Sequence, residues 1–383
     1  MSVTTPRGFR AAGVTAGLKA SGRPDVALVV NDGPDRFGAA VFTSNRVEAA
    51  PVTWSRQVVA DGEVAAVVLN SGGANACTGA PGFQDTHATA EHVGQILDVS
   101  AGDVVVCSTG LIGERLPMDR LLSGVDAAAG ALTHDGGPAA AEAIMTTDTV
   151  AKTAVALRDG WSVGGMAKGA GMLAPALATM LVVVTTDAVV DPDVLDGVLR
   201  DATAQTFDRV DSDGCMSTND TVLLMASGAS GVEVPAADLR EAVTAVCADL
   251  ARQLVADAEG AHHDIAVEVV NAASVEDALE VARSVARNNL FKCAVFGNDP
   301  NWGRVLAAVG TTAAAFDPGS LDVEMNGVQV CRAGGVGEDR TLVDLSGREV
   351  RVVVDLHAGD TTATVWTNDL THDYVHENSA YST

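Results

Sequence analysis

An α/β layered fold is predicted for this chain, and three observations predict it. Short aliphatic runs end in turns rich in Gly, Ser and Asn, amphipathic stretches with helical spacing lie between them, and the two kinds of segment alternate. The strand candidates are residues 64–69, leading into Asn70-Ser-Gly-Gly-Ala-Asn75, and 104–106, leading into Cys107-Ser-Thr-Gly-Leu-Ile-Gly113. Further candidates are 180–184, 221–225 (ending at Ser227-Gly228), 265–270 and 293–296. Residues 350–356 and 362–366 read as a β-hairpin around His357-Ala-Gly-Asp-Thr361. The clearest helix is 238–258, where Leu239, Val243, Val246, Leu250 and Leu254 form one apolar stripe. Ser274-Val-Glu-Asp277 has the form of a capping box and opens a helix that runs to about residue 288. Residues 86–97 and 192–207 complete the helical set. There is no fixed-period repeat and no low-complexity tract; the Gly-rich stretch 333–337 is too short for a linker, and 133–138 reads as a surface loop.

Composition narrows the function. Hydrophobic residues make up 47% and charged residues 19% of 383, the balance of a globular chain long enough for two core-bearing lobes or one large domain. Aromatics are only 4% while Gly and Ala abound, so the core is expected to be small aliphatic side chains packed closely. A net charge of −26 argues against nucleic acid or an anionic membrane as partner, since both need basic patches. A substrate bearing carboxylates would then need a few local cations. The six cysteines, at 77, 107, 215, 247, 293 and 331, form no C-x-x-C pair, so neither a zinc site nor a redox motif is indicated. The N-terminus has no secretory-type hydrophobic region and no run approaches a membrane span. Reduced, mostly buried thiols and a cytoplasmic location are expected.

The most informative stretch is Lys168-Gly-Ala-Gly-Met-Leu-Ala-Pro-Ala-Leu-Ala-Thr179-Met-Leu-Val-Val-Val-Thr-Thr-Asp187. A Gly/Pro-rich loop runs into a continuous apolar strand, and a threonine stands at the junction. Thr favours strands, so a structural role is one reading. In the other, scission of the Ala178–Thr179 bond leaves Thr179 with a free α-amine beside its own hydroxyl. That amine is a built-in general base for a nucleophilic Oγ.

Other segments fit a site around it. Ser108-Thr109-Gly110-Leu-Ile-Gly113 follows a strand; such a turn presents backbone N–H groups and a hydroxyl that can hold an oxyanion, or it is an ordinary strand-to-helix turn. No phosphate-loop or dinucleotide pattern is present. Met145-Thr-Thr-Asp-Thr149 reads by itself as a turn or cap, and Lys168 as a solvated loop lysine. Asp257-Ala-Glu-Gly-Ala-His-His-Asp264 invites a metal reading, but consecutive residues point apart and match no ligand pattern. The C-terminal Val375-His-Glu-Asn-Ser-Ala-Tyr-Ser-Thr383 would ordinarily fray.

Taken in order, these segments resemble the ornithine acetyltransferase family, the bifunctional glutamate N-acetyltransferases of arginine biosynthesis. Asn70–Asn75, 211–220 and Gly297-Asn-Asp-Pro-Asn-Trp-Gly-Arg304 add to the likeness, which runs from about Gly8 to Thr383. The resemblance implies a self-cleaved N-terminal-nucleophile enzyme of layered α/β fold. Autoproteolysis at Ala178–Thr179 would give an α chain of residues 1–178 and a β chain of 179–383, intertwined in one fold and assembled as an α2β2 heterotetramer. Thr179 would attack the acetyl group of N2-acetyl-L-ornithine, and glutamate would take it from the acetyl-threonine. The likeness assigns the oxyanion to the Thr109 hydroxyl and the Gly110 N–H. It assigns substrate binding to Thr146, Lys168 (on a carboxylate), Thr179, Glu259 (on the amino group), Asn378 and Thr383. It implies no metal and no cofactor, and leaves open acetyl-CoA as a second acetyl donor. His262 and His263 depart from the family pattern, with His263 where a lysine usually stands. The alternatives are an N-terminal-nucleophile aminopeptidase or amidase, and a non-catalytic binding protein with a degenerate site.

Overall fold

The computed structural model of the chain describes residues 1–174 and 180–380. Ala178, Thr179 and Thr383 lie outside the described residues. Two compact units emerge, each discontinuous in sequence: Met1–Asp208 with Cys215–Asp257, and Arg209–Gly214 with the described residues from Ala258 onward.

The strands of the first unit are β1 (Phe9–Val14), β2 (Val26–Asn31), β3 (Phe37–Phe42), β4 (Ala66–Asn70), β5 (Val104–Ser108), β6 (Lys152–Leu157), β7 (Ser162–Lys168), β8 (Leu181–Thr186) and β9 (Thr221–Ala226). Its helices are α1 (Ala50–Val58), α2 (Gly79–Leu97), α3 (Met118–Gly130), α4 (Gly137–Ala143), α5 (Pro192–Gln205) and α6 (Ala236–Ala256). The strands form two sheets, ordered β1-β2-β4-β5 and β3-β9-β8-β7-β6. Strand β2 shows why the apolar runs are continuous rather than alternating. Its Ala27 and Val29 face a core shared with Met166, Val183 and Leu223 of the other sheet. Its Val26, Leu28 and Val30 face Ala90 and Val93 of α2 and Leu121 and Val125 of α3. A strand covered on both faces has no polar side to show. Each such side chain contributes about 1.5–3 kcal/mol by leaving water. On the other sheet, Val246 and Leu250 of α6 lie against β7 at Gly165. The apolar stripe read from the sequence is therefore the sheet-facing side of α6.

Strand β8 lies between β7, with which it pairs antiparallel over six residues, and β9, with which it pairs parallel over six. Strands from both sides of the 178/179 junction therefore share one hydrogen-bonded sheet.

The second unit holds β10 (Asp264–Ala272), α7 (Val275–Ala286), α8 (Asn289–Phe296), α9 (Trp302–Val309), β11 (Asp322–Met325), β12 (Val328–Arg332), β13 (Gly335–Val336), β14 (Glu349–Asp355), β15 (Thr361–Asn368) and α10 (His372–Ala380). Its sheet runs β13-β12-β11-β14-β10-β15. Here β10 and β14 alternate, with Ile265, Val267, Val350 and Val352 buried in a core with α7 and α9. The opposite face carries cross-strand charge pairs such as Arg351–Glu268. The capping box is present: the Ser274 hydroxyl accepts the Asp277 N–H at 3.1 Å.

Several expectations need correction. Residues 293–296 are the end of helix α8, opened by the Asn288 side chain accepting the Phe291 N–H at 3.0 Å. A four-residue apolar run carries no period that separates strand from helix. Strands β14 and β15 are not a hairpin, because β10 lies between them, parallel to β14 and antiparallel to β15. Their connection straddles the end of β10, where the Asn271 carbonyl accepts both the Ala358 and the Gly359 N–H groups. Helix α2 begins at Gly79, seven residues before the expected start, because Pro81 sits in its first turn, where the missing N–H costs nothing. Residues 137 and 138 open α4 rather than closing a loop. All six cysteines are free thiols, but only Cys107, Cys247 and Cys331 are buried, so the expectation of mostly buried thiols holds for half of them.

Candidate active site

In the first unit, β4 and β5 run parallel and end side by side at Asn70 and Ser108. The turns that follow are locked to each other. The Asn70 amide donates to the Ser108 hydroxyl at 2.6 Å, the Gly73 N–H to the Thr109 carbonyl at 3.0 Å, and the Thr109 N–H to the Asn70 carbonyl at 2.9 Å. The Asn219 amide donates to the carbonyls of Ala74 (2.6 Å) and Ser108 (2.8 Å), tying both turns together. Gly110 sits at φ +131°, and a Cβ there would lie 2.8 Å from the Gly73 nitrogen. Only glycine allows so close a backbone approach. Among the described residues, the Gly110 N–H has no acceptor.

Lys168 is not a solvated loop residue. It is the last residue of β7, only 1% exposed, and its ammonium donates to the Thr109 hydroxyl at 3.5 Å. The two sheets thus bring the β5 turn to the strand end from which the chain leaves toward residue 179.

A buried charge network surrounds this point. Asp148, 2% exposed, accepts the Thr146 N–H (2.9 Å), the Gly169 N–H (2.6 Å) and the Lys152 ammonium (2.7 Å). Lys152, fully buried, also donates to Asp257 at 2.5 Å. Burial works against the Asp148 charge, but Lys168 and Lys152 outweigh it and hold the carboxyl down at about 2. The Thr-Thr-Asp-Thr motif is indeed a turn closed by its aspartate, and the same aspartate fixes the backbone next to Thr146 and Lys168. At the start of β8 the Met180 N–H donates to Asp220 at 3.1 Å. Burial pushes the Asp220 carboxyl well above the ordinary carboxylate range, against the Met180 and Ser217 bonds and the Lys168 charge.

The second unit brings together Glu259 and Asn378, whose amide donates to the glutamate carboxylate at 2.9 Å. Gly260, at φ +61°, admits α10: a Cβ there would lie 2.2 Å from the Tyr374 nitrogen. Glu259 lines a cavity of about 420 Å³ with Ser212, Asp213, Lys292, Asn368 and Tyr374. Burial lowers the Lys292 ammonium, which donates to the Ser212 carbonyl. The two histidines serve separate carboxylates: His262 Nε2 lies 2.8 Å from Asp373, and His263 Nδ1 2.7 Å from Asp369. His263 Nε2 faces the Leu345 carbonyl at 3.0 Å, so both its nitrogens are engaged within the protein. Among the described residues, no group of three potential ligands gathers to hold a metal, and no helix is long and apolar enough to cross a membrane.

Thr109, Gly110, Thr146 and Lys168 therefore gather in the first unit, and Glu259 pairs with Asn378 in the second. Sequence reasoning missed Asp148, Lys152, Asp257, Asn219 and Asp220. All but Lys152 stood inside segments already singled out, but the Lys152–Asp257 pairing spans 105 positions and carries no local signal.

Residues 10–383 match the ArgJ family. The "Arginine biosynthesis bifunctional protein ArgJ" of Streptomyces coelicolor is 68% identical over 382 residues, covering 100% of both chains. The protein of the same name from Thermobifida fusca is 65% identical over 383 residues, again covering 100% of both. A crystal structure of ornithine acetyltransferase complexed with ornithine, from Mycobacterium tuberculosis, is 56% identical with a TM-score of 0.45; the match covers 47% of this chain and 96% of that one.

Proposed function

The chain belongs to the ArgJ family, and from that premise we propose that it moves an acetyl group from N2-acetyl-L-ornithine to L-glutamate through an acetyl-threonine on Thr179. It is a bifunctional acyltransferase of arginine biosynthesis with ornithine acetyltransferase activity. The observation that carries the mechanism is the meeting of the Thr109-Gly110 turn with buried Lys168, at the strand end that leads to residue 179.

The precursor first splits between Ala178 and Thr179. The two chains stay together because β7 and β8, one from each, share a six-residue ladder. The new α-amine, with an ordinary pKa of about 7.7–8.0, takes the Oγ proton as Oγ attacks the acetyl carbonyl. The Thr109 hydroxyl and the Gly110 N–H receive the oxyanion. Collapse expels ornithine, whose leaving nitrogen takes the proton back from the α-ammonium of residue 179. The glutamate amine then attacks the acetyl-threonine, giving up a proton to the same α-amine, and collapse returns that proton to Thr179 Oγ as N-acetylglutamate leaves. The family likeness gives Lys168 to the α-carboxylate of whichever amino acid is bound and Glu259 to its amino group, with Thr146, Asn378 and Thr383 as further substrate contacts. The second activity uses acetyl-CoA as donor to the same threonine. We also propose an α2β2 assembly and, consistent with six free thiols, a cytoplasmic location.

Denaturing mass spectrometry after brief incubation with N2-acetyl-ornithine tests this reading. Two chains split after Ala178, with one acetyl group on the fragment beginning at Thr179, are expected. A single unmodified chain overturns it. Under turnover with glutamate, N-acetylglutamate should form without free acetate; acetate in place of N-acetylglutamate would make the protein an amidase.

The oxyanion assignment has its own test. Gly110→Ala places a Cβ 2.8 Å from the Gly73 nitrogen and forces the turn to move. The expected result is a fall of about 10²–10³ in kcat and a stability loss of about 1–3 kcal/mol, read by steady-state kinetics and thermal melting. An unchanged kcat would remove Gly110 from the mechanism.

A further inference from the structure

We propose that Lys19 is a substrate-binding residue of this site, a second ammonium that acts with Lys168 on the α-carboxylate common to both amino-acid substrates. The proposal rests on the reading given under Proposed function and assigns to it a residue that neither motif nor family likeness had marked.

Lys19 lies in the loop 15–25 that joins β1 to β2. The loop is tightly built. Asp25, fully buried, accepts the Ala16 N–H at 2.6 Å on one oxygen and the N–H groups of Leu18 (2.5 Å) and Lys19 (3.0 Å) on the other. The Asp25 carbonyl accepts the Ser71 N–H at 3.0 Å, which ties the loop to the turn after β4. Register places the loop at the catalytic end of the sheet: Val26, where β2 begins, pairs with Asn70, and Asn70 pairs with Ser108.

From this support the Lys19 ammonium reaches across 126 positions to the Met145 carbonyl at 2.6 Å, and also donates to the Pro24 carbonyl at 2.8 Å. Met145 immediately precedes Thr146. An ammonium has three donors; two are used, and among the described residues the third has no acceptor. The contrast with Lys152 is informative. Lys152 is bonded to two carboxylates, Asp148 and Asp257, and its charge is compensated inside the protein. Among the described residues, the Lys19 ammonium is bonded to carbonyls and to no carboxylate. Burial lowers its ammonium to about 8; Asp25 and Asp148 work in the other direction, and nearby Lys168 and Arg23 lower it further. Lys19 and buried Lys168 are near enough to repel each other, and in a protein with net charge −26 they form a local cationic point in an acidic field. A carboxylate bound there relieves the repulsion between them and accepts charge-assisted hydrogen bonds. Acetyl-ornithine and glutamate share one such group, on the carbon that bears the reacting nitrogen.

The test compares N2-acetyl-ornithine with its α-carboxamide, reading single-turnover acetylation of the Thr179 fragment by mass spectrometry. A charge-assisted contact contributes about 10–100-fold. Wild type should therefore prefer the acid over the amide, and Lys19→Met should lose about 10–100-fold with the acid, mostly in KM, while losing little with the amide. Lys19→Arg should keep the preference. Lys19→Gln retains a donor for the Met145 carbonyl without the charge and should behave like Lys19→Met. It also serves if Lys19→Met folds poorly by circular dichroism. An undiminished acid-over-amide preference in Lys19→Gln or Lys19→Met would overturn the proposal and leave Lys19 as a brace for residue 145. Failure of wild type to be acetylated at all would overturn the functional reading itself.

Discussion

Thr179→Ala should abolish both chain splitting and acetyl transfer. The substitution removes one oxygen, and in the proposed mechanism that oxygen is used twice. It attacks the Ala178 carbonyl during maturation and the acetyl carbonyl during turnover. Loss of a covalent nucleophile leaves only binding and the oxyanion hole, so a fall of at least about 10³–10⁴ in rate is expected. The fold should survive, because the ladder that seats β8 begins at Leu181 and, among the described residues, the first anchor beyond the junction is the Met180–Asp220 bond. The variant should therefore run as one folded chain of 38.9 kDa with the thermal transition of a native protein. Thr179→Ser keeps the oxygen and should still split and transfer. In the mature wild type, the transfer rate should rise with pH through about 7.7–8.0 as the α-amine becomes a free base. A fully active Thr179→Ala protein would end the assignment.

Asp148→Asn should be the most destabilising single change at the site. Among the described residues, Asp148 is the one partner common to Thr146, Gly169 and Lys152, and it is 2% exposed. Asparagine keeps the shape but removes the charge. It leaves the buried Lys152 with Asp257 alone and takes away a counter-charge near Lys168. Breaking one partner of a buried ion pair costs about 3–5 kcal/mol, because the other charge stays buried. A urea-melt shift of that size is expected at pH 7, and a loss below about 1 kcal/mol would contradict the account. The sign of the pH effect follows from the native carboxyl standing at about 2, below its unfolded value of about 3.9. The stabilisation is complete above about pH 4 and is lost as the pH falls through about 2. Wild type should therefore lose part of its stability in that acid window, whereas Asp148→Asn should show a flatter profile there. Activity should fall as well, since the Thr146 and Gly169 backbones lose their common anchor.

These residues mark how far the sequence could be read. Thr109 and Gly110 were marked by family likeness, since by itself a Gly-rich turn at a strand end also reads as an ordinary strand-to-helix turn. Helix α6 was legible because its stripe has one period and one buried face. Lys168 was legible by family likeness, but its burial was not: a lysine beside glycines looks like a loop residue until β6 and β8 are seen to flank β7. Residues 293–296 were misread because four apolar residues fit either period. The supposed hairpin failed because pairing partners are chosen by the sheet, and β10 lies between β14 and β15. Lys19 left no trace, since its bonds go to backbone carbonyls, which every residue carries.

By itself, then, the sequence determined the α/β class, the apolar stripe of α6 and the family, and it marked residue 179 as the proposed junction. All of these are written in local periodicity or in contiguous motifs, where the interacting residues are near neighbours along the chain. Only the tertiary structure decided which charges are compensated and which are presented. Lys152 is matched by an aspartate 105 positions away, Lys168 is set under the Thr109 hydroxyl by the meeting of two sheets, and Lys19 is held to the Met145 carbonyl across 126 positions. The energy of a charge depends on its burial and on its neighbours in space, and neither is settled until the chain has folded.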